Sequence, residues 1–110
     1  MNLKFIDECL LDIKWHESNS YQVEGLLKKS NQYYKFDVRY LSDFPENKIG
    51  KLINSESKAD KVLFEDDKNW ILIDTQELVK YMKAYDLKEI KIEELIKNID
   101  WNIIIPKKTV

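Results

Sequence analysis

The sequence predicts an α+β fold, with helices packed on a mixed or antiparallel sheet. Three patterns carry that prediction. Residues 21–28 and 33–41 alternate apolar and polar side chains, as half-buried strands do. Val62-Leu63-Phe64 and Trp70-Ile71-Leu72-Ile73 are unbroken apolar runs, which suit central strands covered on both faces. Leu78, Val79, Met82 and Tyr85 recur at helical spacing behind Asp74 and Glu77, an Asp-x-x-Glu form of the capping box. With 110 residues, 44% hydrophobic and 35% charged, the chain has the composition and size of one globular domain spanning 1–110.

The elements follow in order. Leu3, Ile6, Leu10 and Ile13, with Cys9 on the same stripe, predict an amphipathic helix over 2–14, and His16-Glu17-Ser18-Asn19-Ser20 breaks it. The two alternating strands flank Lys29-Ser30-Asn31-Gln32, a tight hairpin in which Asn31 tolerates the left-handed backbone. Ile49, Leu52 and Ile53 suggest a short helix after Pro45. The two apolar strands are joined through Glu65-Asp66-Asp67-Lys68-Asn69, and the capped helix comes next. Ile90 and Ile92 form a short strand, and Leu95, Ile96 and Ile99 a last helix. The final strand, Trp101 to Ile105, is stopped by Pro106. The expected order is therefore α-β-β-α-β-β-α-(β)-α-β.

Composition excludes several functions. Eighteen Lys plus Arg against 20 Asp plus Glu give a charge of −2, too balanced for a dedicated nucleic-acid coat. Arg39 is the single arginine. The lone Cys9 rules out an internal disulfide framework and reads as a small buried hydrophobe; the lone His16, beside Asp12 and Glu17, completes no nucleophile motif. Two glycines cannot build a phosphate-cradling loop. No apolar stretch approaches the roughly 20 residues that cross a bilayer, and acids stand where a signal peptide has its apolar run. A cytoplasmic protein with no membrane association is expected. The excess of Lys over Arg, with abundant Ile and Asn, suits an AT-rich bacterial or phage gene.

Chemistry concentrates on the first hairpin. If Lys29 and Gln32 flank a two-residue turn, Tyr21, Val23, Gly25 and Leu27 face Tyr40, Val38, Phe36 and Tyr34 on an apolar side. On the polar side Glu24 then opposes Asp37, Gln22 opposes Arg39, and Leu26 opposes Lys35. Two opposed carboxylates need a cation between them, either Arg39 or a divalent metal.

Glu24, followed by a strand carrying Asp37-Val38-Arg39, resembles the PD-(D/E)XK nuclease core, in particular its small Holliday-junction-resolvase-like members. In that family a helix precedes the strands, and an acid precedes a strand bearing acid-x-Lys. Ala59 to Phe64 and Trp70 to Ile73 look like the family's later strands, so the resemblance spans residues 2–85. It implies Glu24 and Asp37 as ligands of Mg²⁺ or Mn²⁺, with Arg39 steadying a phosphate of a nucleic-acid substrate. The chain departs from the pattern at Arg39, which stays protonated and cannot act as a general base. Glu8, the helix acid, falls opposite the apolar stripe.

No catalytic set is complete, so the leading expectation is a docking module without a cofactor. Its partner would be a protein, in the manner of inhibitors, immunity proteins and phage or mobile-element accessory proteins. Tyr33 on the polar side of its strand, Trp15 off the helical stripe, and Arg39 are the expected contact residues. A metal-dependent nuclease acting on nucleic acid is the alternative.

Overall fold

The computed structural model describes residues 8–15, 23–41, 44–49 and 59–107. Six strands form one mixed sheet: β1 (Leu10–Trp15), β2 (Val23–Leu27), β3 (Gln32–Tyr40), β5 (Lys61–Glu65), β6 (Asn69–Asp74) and β8 (Asn102–Pro106), side by side in that order. All neighbours are antiparallel except β3 and β5, which run parallel. β4 (Lys48–Ile49) and β7 (Ile90–Lys91) pair separately. Helices α1 (Thr75–Ala84) and α2 (Ile92–Asn98) complete an α+β architecture.

Two of the predicted elements change type. Residues 10–14, expected as helix, form β1; Glu8 and Cys9 are helical, and the rest of that predicted helix lies outside the described residues. The cause is a bulge. Leu11 pairs with Leu26 and Lys14 with Glu24, so Asp12 and Ile13 stand opposite Gly25 alone. Asp12 takes φ 53°. The extra residue turns both Leu10 and Ile13 toward one core, and their three-residue spacing imitates a helical period. Gly25 makes the bulge possible: a Cβ there would lie 3.1 Å from the Leu11 carbonyl oxygen. Beyond β3, a 3-10 turn (Pro45–Asn47) leads into β4 instead of a helix through Ile49; Leu52 and Ile53 lie outside the described residues.

Both faces of the central strands are buried, as their unbroken apolar runs predict. Val62, Phe64, Ile71 and Ile73 face the helices, where Leu78, Ile92, Leu95 and Ile99 close over them. Leu63, Trp70 and Leu72 face a second core with Leu10, Val23, Leu27, Phe36 and Val38. Within α1, Leu78 is buried, whereas Tyr85 is 66% exposed at the C-cap and rests on Tyr81. It therefore ends the predicted stripe outside the core. The last helix begins at Ile92, earlier than expected, and buries Ile92 and Leu95. Its acidic first turn meets the 3-10 turn, where Asn47 donates to Glu93 at 3.1 Å. The Glu93 backbone N–H, and then Asn47, hold that carboxyl below the ordinary carboxylate range.

A polar ring ties the sheet to α1. Lys61, buried on β5, donates to Asp74 Oδ1 at 2.7 Å. Asp74 Oδ2 caps α1 by accepting the Glu77 N–H at 2.9 Å, the first half of the expected capping box. The second half is diverted: the Glu77 carboxylate accepts the N–H groups of Asp100 and Trp101, at 3.1 and 2.8 Å. Trp101 returns to Lys61, whose ammonium stands 3.6 Å from the indole centroid and 4.8 Å from that of Tyr34. Asp74→Ala removes a cap and leaves a buried ammonium without its carboxylate, so we expect a loss of about 3 kcal/mol in urea unfolding. Lys61→Met, which removes the charge and retains volume, should cost about 1 kcal/mol or less. Equal losses for the two variants would refute the ring.

Candidate functional site

The face that α1 and α2 cover on β5 and β6 continues onto β1, β2 and β3. Register places its side chains in rows. Leu11, Leu26 and Tyr33 lie side by side across the three strands, and Lys14, Glu24 and Lys35 form the next row. Asp37 and Arg39 follow along β3, beside Val62 and Phe64 of the helix-covered half. Leu11 is 48% and Tyr33 46% exposed.

The hairpin differs from its expected register by two residues. Leu27 and Gln32 flank a four-residue turn, in which Asn31 at φ 57° donates its N–H to the Leu27 carbonyl at 2.8 Å. Asn31 thus takes the left-handed conformation expected of it, as the last residue of the turn. A shift of two keeps every side chain on its predicted face, so Val23, Gly25 and Leu27 remain on the core side. It changes the partners. Val23 opposes Phe36, and Glu24 opposes Lys35 rather than Asp37, so the opposed carboxylates do not form. Leu26 opposes Tyr33 rather than Lys35. Tyr21 and Gln22, expected to face Tyr40 and Arg39, lie outside the described residues.

Glu24, Asp37 and Arg39 nonetheless share one face, with Glu24 diagonal to Asp37. The Asp37 side chain is 6% exposed, and Arg39 lies alongside it: Nη2 donates to Oδ2 at 3.1 Å and Nε stands 3.0 Å from Oδ1. As placed, Asp37 is engaged by a guanidinium and Glu24 lies between two lysines in register. Among the described residues no three His, Cys, Asp or Glu side chains gather as metal ligands.

The predicted contact residues separate. Tyr33 and Arg39 share the open face; Trp15 opposes Val23 and therefore belongs to the opposite face, 52% exposed. His16 lies outside the described residues, and Cys9 is buried, as a small hydrophobe should be. Of the predicted hairpin tip, Asp66 accepts the N–H groups of Lys68 and Asn69 at 2.8 and 2.6 Å, while Glu65 ends β5 and receives Lys107. Glu65, Asp66, Lys107 and Tyr40 line a cleft of about 300 Å³ at the end of β3 away from Tyr33.

Sequence reasoning misses Leu11, and it places Leu26 on the polar side without naming it as a contact residue. Leu26 carried a signal: in Leu26-Leu27 two consecutive leucines on one strand must point to opposite faces, so one lies on the polar side. Leu11 was hidden by the bulge. No helix among the described residues is long and apolar enough to cross a membrane. No protein-family model, curated protein or solved structure matches the chain.

Arg39→Met leaves the nearly buried Asp37 carboxylate without its guanidinium. Its expected cost is about 2 kcal/mol in urea unfolding, and Arg39→Met with Asp37→Asn should recover most of it. Additive losses in the double variant would show that the two side chains are not energetically coupled.

Proposed function

We propose that this protein is a docking module that binds a protein partner through the open half of its sheet. The row Leu11–Leu26–Tyr33 carries the reading. These side chains stand beyond the first residue of β5, and the charged row Lys14–Glu24–Lys35 separates them from the helix-covered core. Leu11 and Tyr33 leave apolar surface in water. An apolar row with an aromatic end, rimmed by charge, has the composition of an interface centre. Loss of a central tyrosine from such a contact costs about 2 kcal/mol, or roughly thirtyfold in affinity.

As bait in a lysate of the source cell, the wild-type chain should capture a stoichiometric protein. Leu11→Ser with Tyr33→Ala should lose it while keeping its unfolding midpoint. Equal capture by wild type and variant would overturn the assignment of the face; no partner and no self-association would overturn the docking reading.

One observation favours a second reading, the metal-dependent nuclease: Glu24, Asp37 and Arg39 share a face on adjacent strands. It requires Mg²⁺ or Mn²⁺ to displace Arg39 from Asp37 and to compete with the lysines beside Glu24 in register. Its test is cleavage of branched or plasmid DNA with Mn²⁺ by wild type and by Asp37→Asn. The reading expects cleavage by the wild type alone. No cleavage ends it, and cleavage that survives the substitution ends the site assignment.

A further inference from the structure

We infer that the partner presents an acidic, apolar peptide surface: aliphatic or aromatic anchors flanked by Asp and Glu. This deepens the docking reading and rests on it. The chain as a whole is acidic, at −2. Along β1, β2, their neighbour β3 and the turn that joins the hairpin, Arg39 and Asp37 offset each other, and the other charged residues are Lys14, Lys28, Lys29 and Lys35 against Asp12 and Glu24. The carboxylates are also worse placed to set the face's sign. Asp37 is buried and engaged by Arg39, and Glu24 is bracketed in register by Lys14 and Lys35.

The cations are distributed about the apolar row. Lys28 and Lys29, both exposed, stand in the turn directly after Leu27, next to the Leu26–Tyr33 pair at one end of the row's strands. Lys14 and Lys35 occupy the next row on the other side. The apolar strip thus has lysines on both long sides, with Glu24 between Lys14 and Lys35 on one of them. A complementary surface carries apolar anchors in the middle and carboxylates around them. Rim charges of this kind set specificity and association rate, and they act through water, so their contribution falls with salt.

A nucleic acid offers negative charge too, but this face suits it less well. Leu11 and Leu26 have no aromatic plane on which a base could stack, and Tyr33 is the one ring in the row.

The test is selection of a random peptide library on the immobilised full chain, with binding then measured in solution. We expect the enriched peptides to combine Asp and Glu with Leu, Phe or Trp. Lys28→Glu with Lys29→Glu should weaken them about tenfold, as should raising salt from low to high ionic strength. Lys14→Gln with Lys35→Gln should act in the same direction, without adding like charges beside Glu24. Neutral or basic peptides, binding indifferent to these variants, no enrichment at all, or tighter binding of a thymidine oligonucleotide to the same face would each overturn the inference. So would a concentration-dependent dimer that buries this face. If the selected peptides are not acidic yet lose binding in Leu11→Ser with Tyr33→Ala, the acidic partner is wrong and the docking face stands. If they respond to neither set of variants, both fail.

Discussion

The structure depends on how it disposes of one buried ammonium. Lys61 opens β5 at the place where the parallel pair with β3 begins, opposite Phe36. A lysine is rarely tolerated there without a partner, because an unpaired buried charge costs several kcal/mol. Asp74, directly across the antiparallel pair on β6, supplies the counter-charge, and Tyr34 and Trp101 supply aromatic faces. The demand of that one charge therefore fixes the register of β5 with β6, the start of α1 at its cap, and the approach of the segment that enters β8. Asp60 reinforces the same junction from the other side. Its carboxylate accepts the Lys35 N–H while its own N–H donates to the Lys35 carbonyl, both at 2.8 Å, and its carbonyl accepts the Thr75 N–H.

The bulge in β1 has the complementary effect at the edge of the sheet. An edge strand with regular alternation presents a continuous row of backbone donors and acceptors to any other strand. Asp12, in its left-handed conformation, interrupts that row, while Gly25 lets the Leu11 carbonyl approach closely. The edge is thereby less suited to strand addition. What β1 offers is its side chains, Leu11 and Lys14, on the open face.

Much of the fold was legible because burial leaves an unmistakable mark on composition. The two central strands had no polar residue to alternate with, and the cap of α1 combined a short carboxylate with an apolar stripe. The limits were equally physical. A periodicity argument assumes uninterrupted geometry, and one inserted residue at Asp12 converts the period of a strand into that of a helix. Hairpin register depends on turn length, and Lys28 to Asn31 permits both a two-residue and a four-residue turn. Because the two differ by an even number, the faces survived the error and the pairs did not. Glu24 and Asp37 could thus be placed on one side of the sheet from sequence, while their direct opposition could not. Nor does local pattern reveal that Glu77 reaches the backbone of Trp101, 24 residues away.

The single arginine marks the border between the two halves of that face. On one side of Asp37 and Arg39 lie Val62 and Phe64, enclosed by helices; on the other, Lys35 and then Tyr33. A planar guanidinium can lie flat along a buried carboxylate and still reach solvent, which a lysine ammonium cannot do with the same geometry. The pair closes the apolar core at its margin, so nothing in the core requires apolar side chains farther out. Leu11, Leu26 and Tyr33 lie farther out nevertheless, beyond a second charged row. Two of them, Leu11 and Tyr33, are about half exposed, and it is this apolar surface past the margin of the core that the proposed docking face would bury.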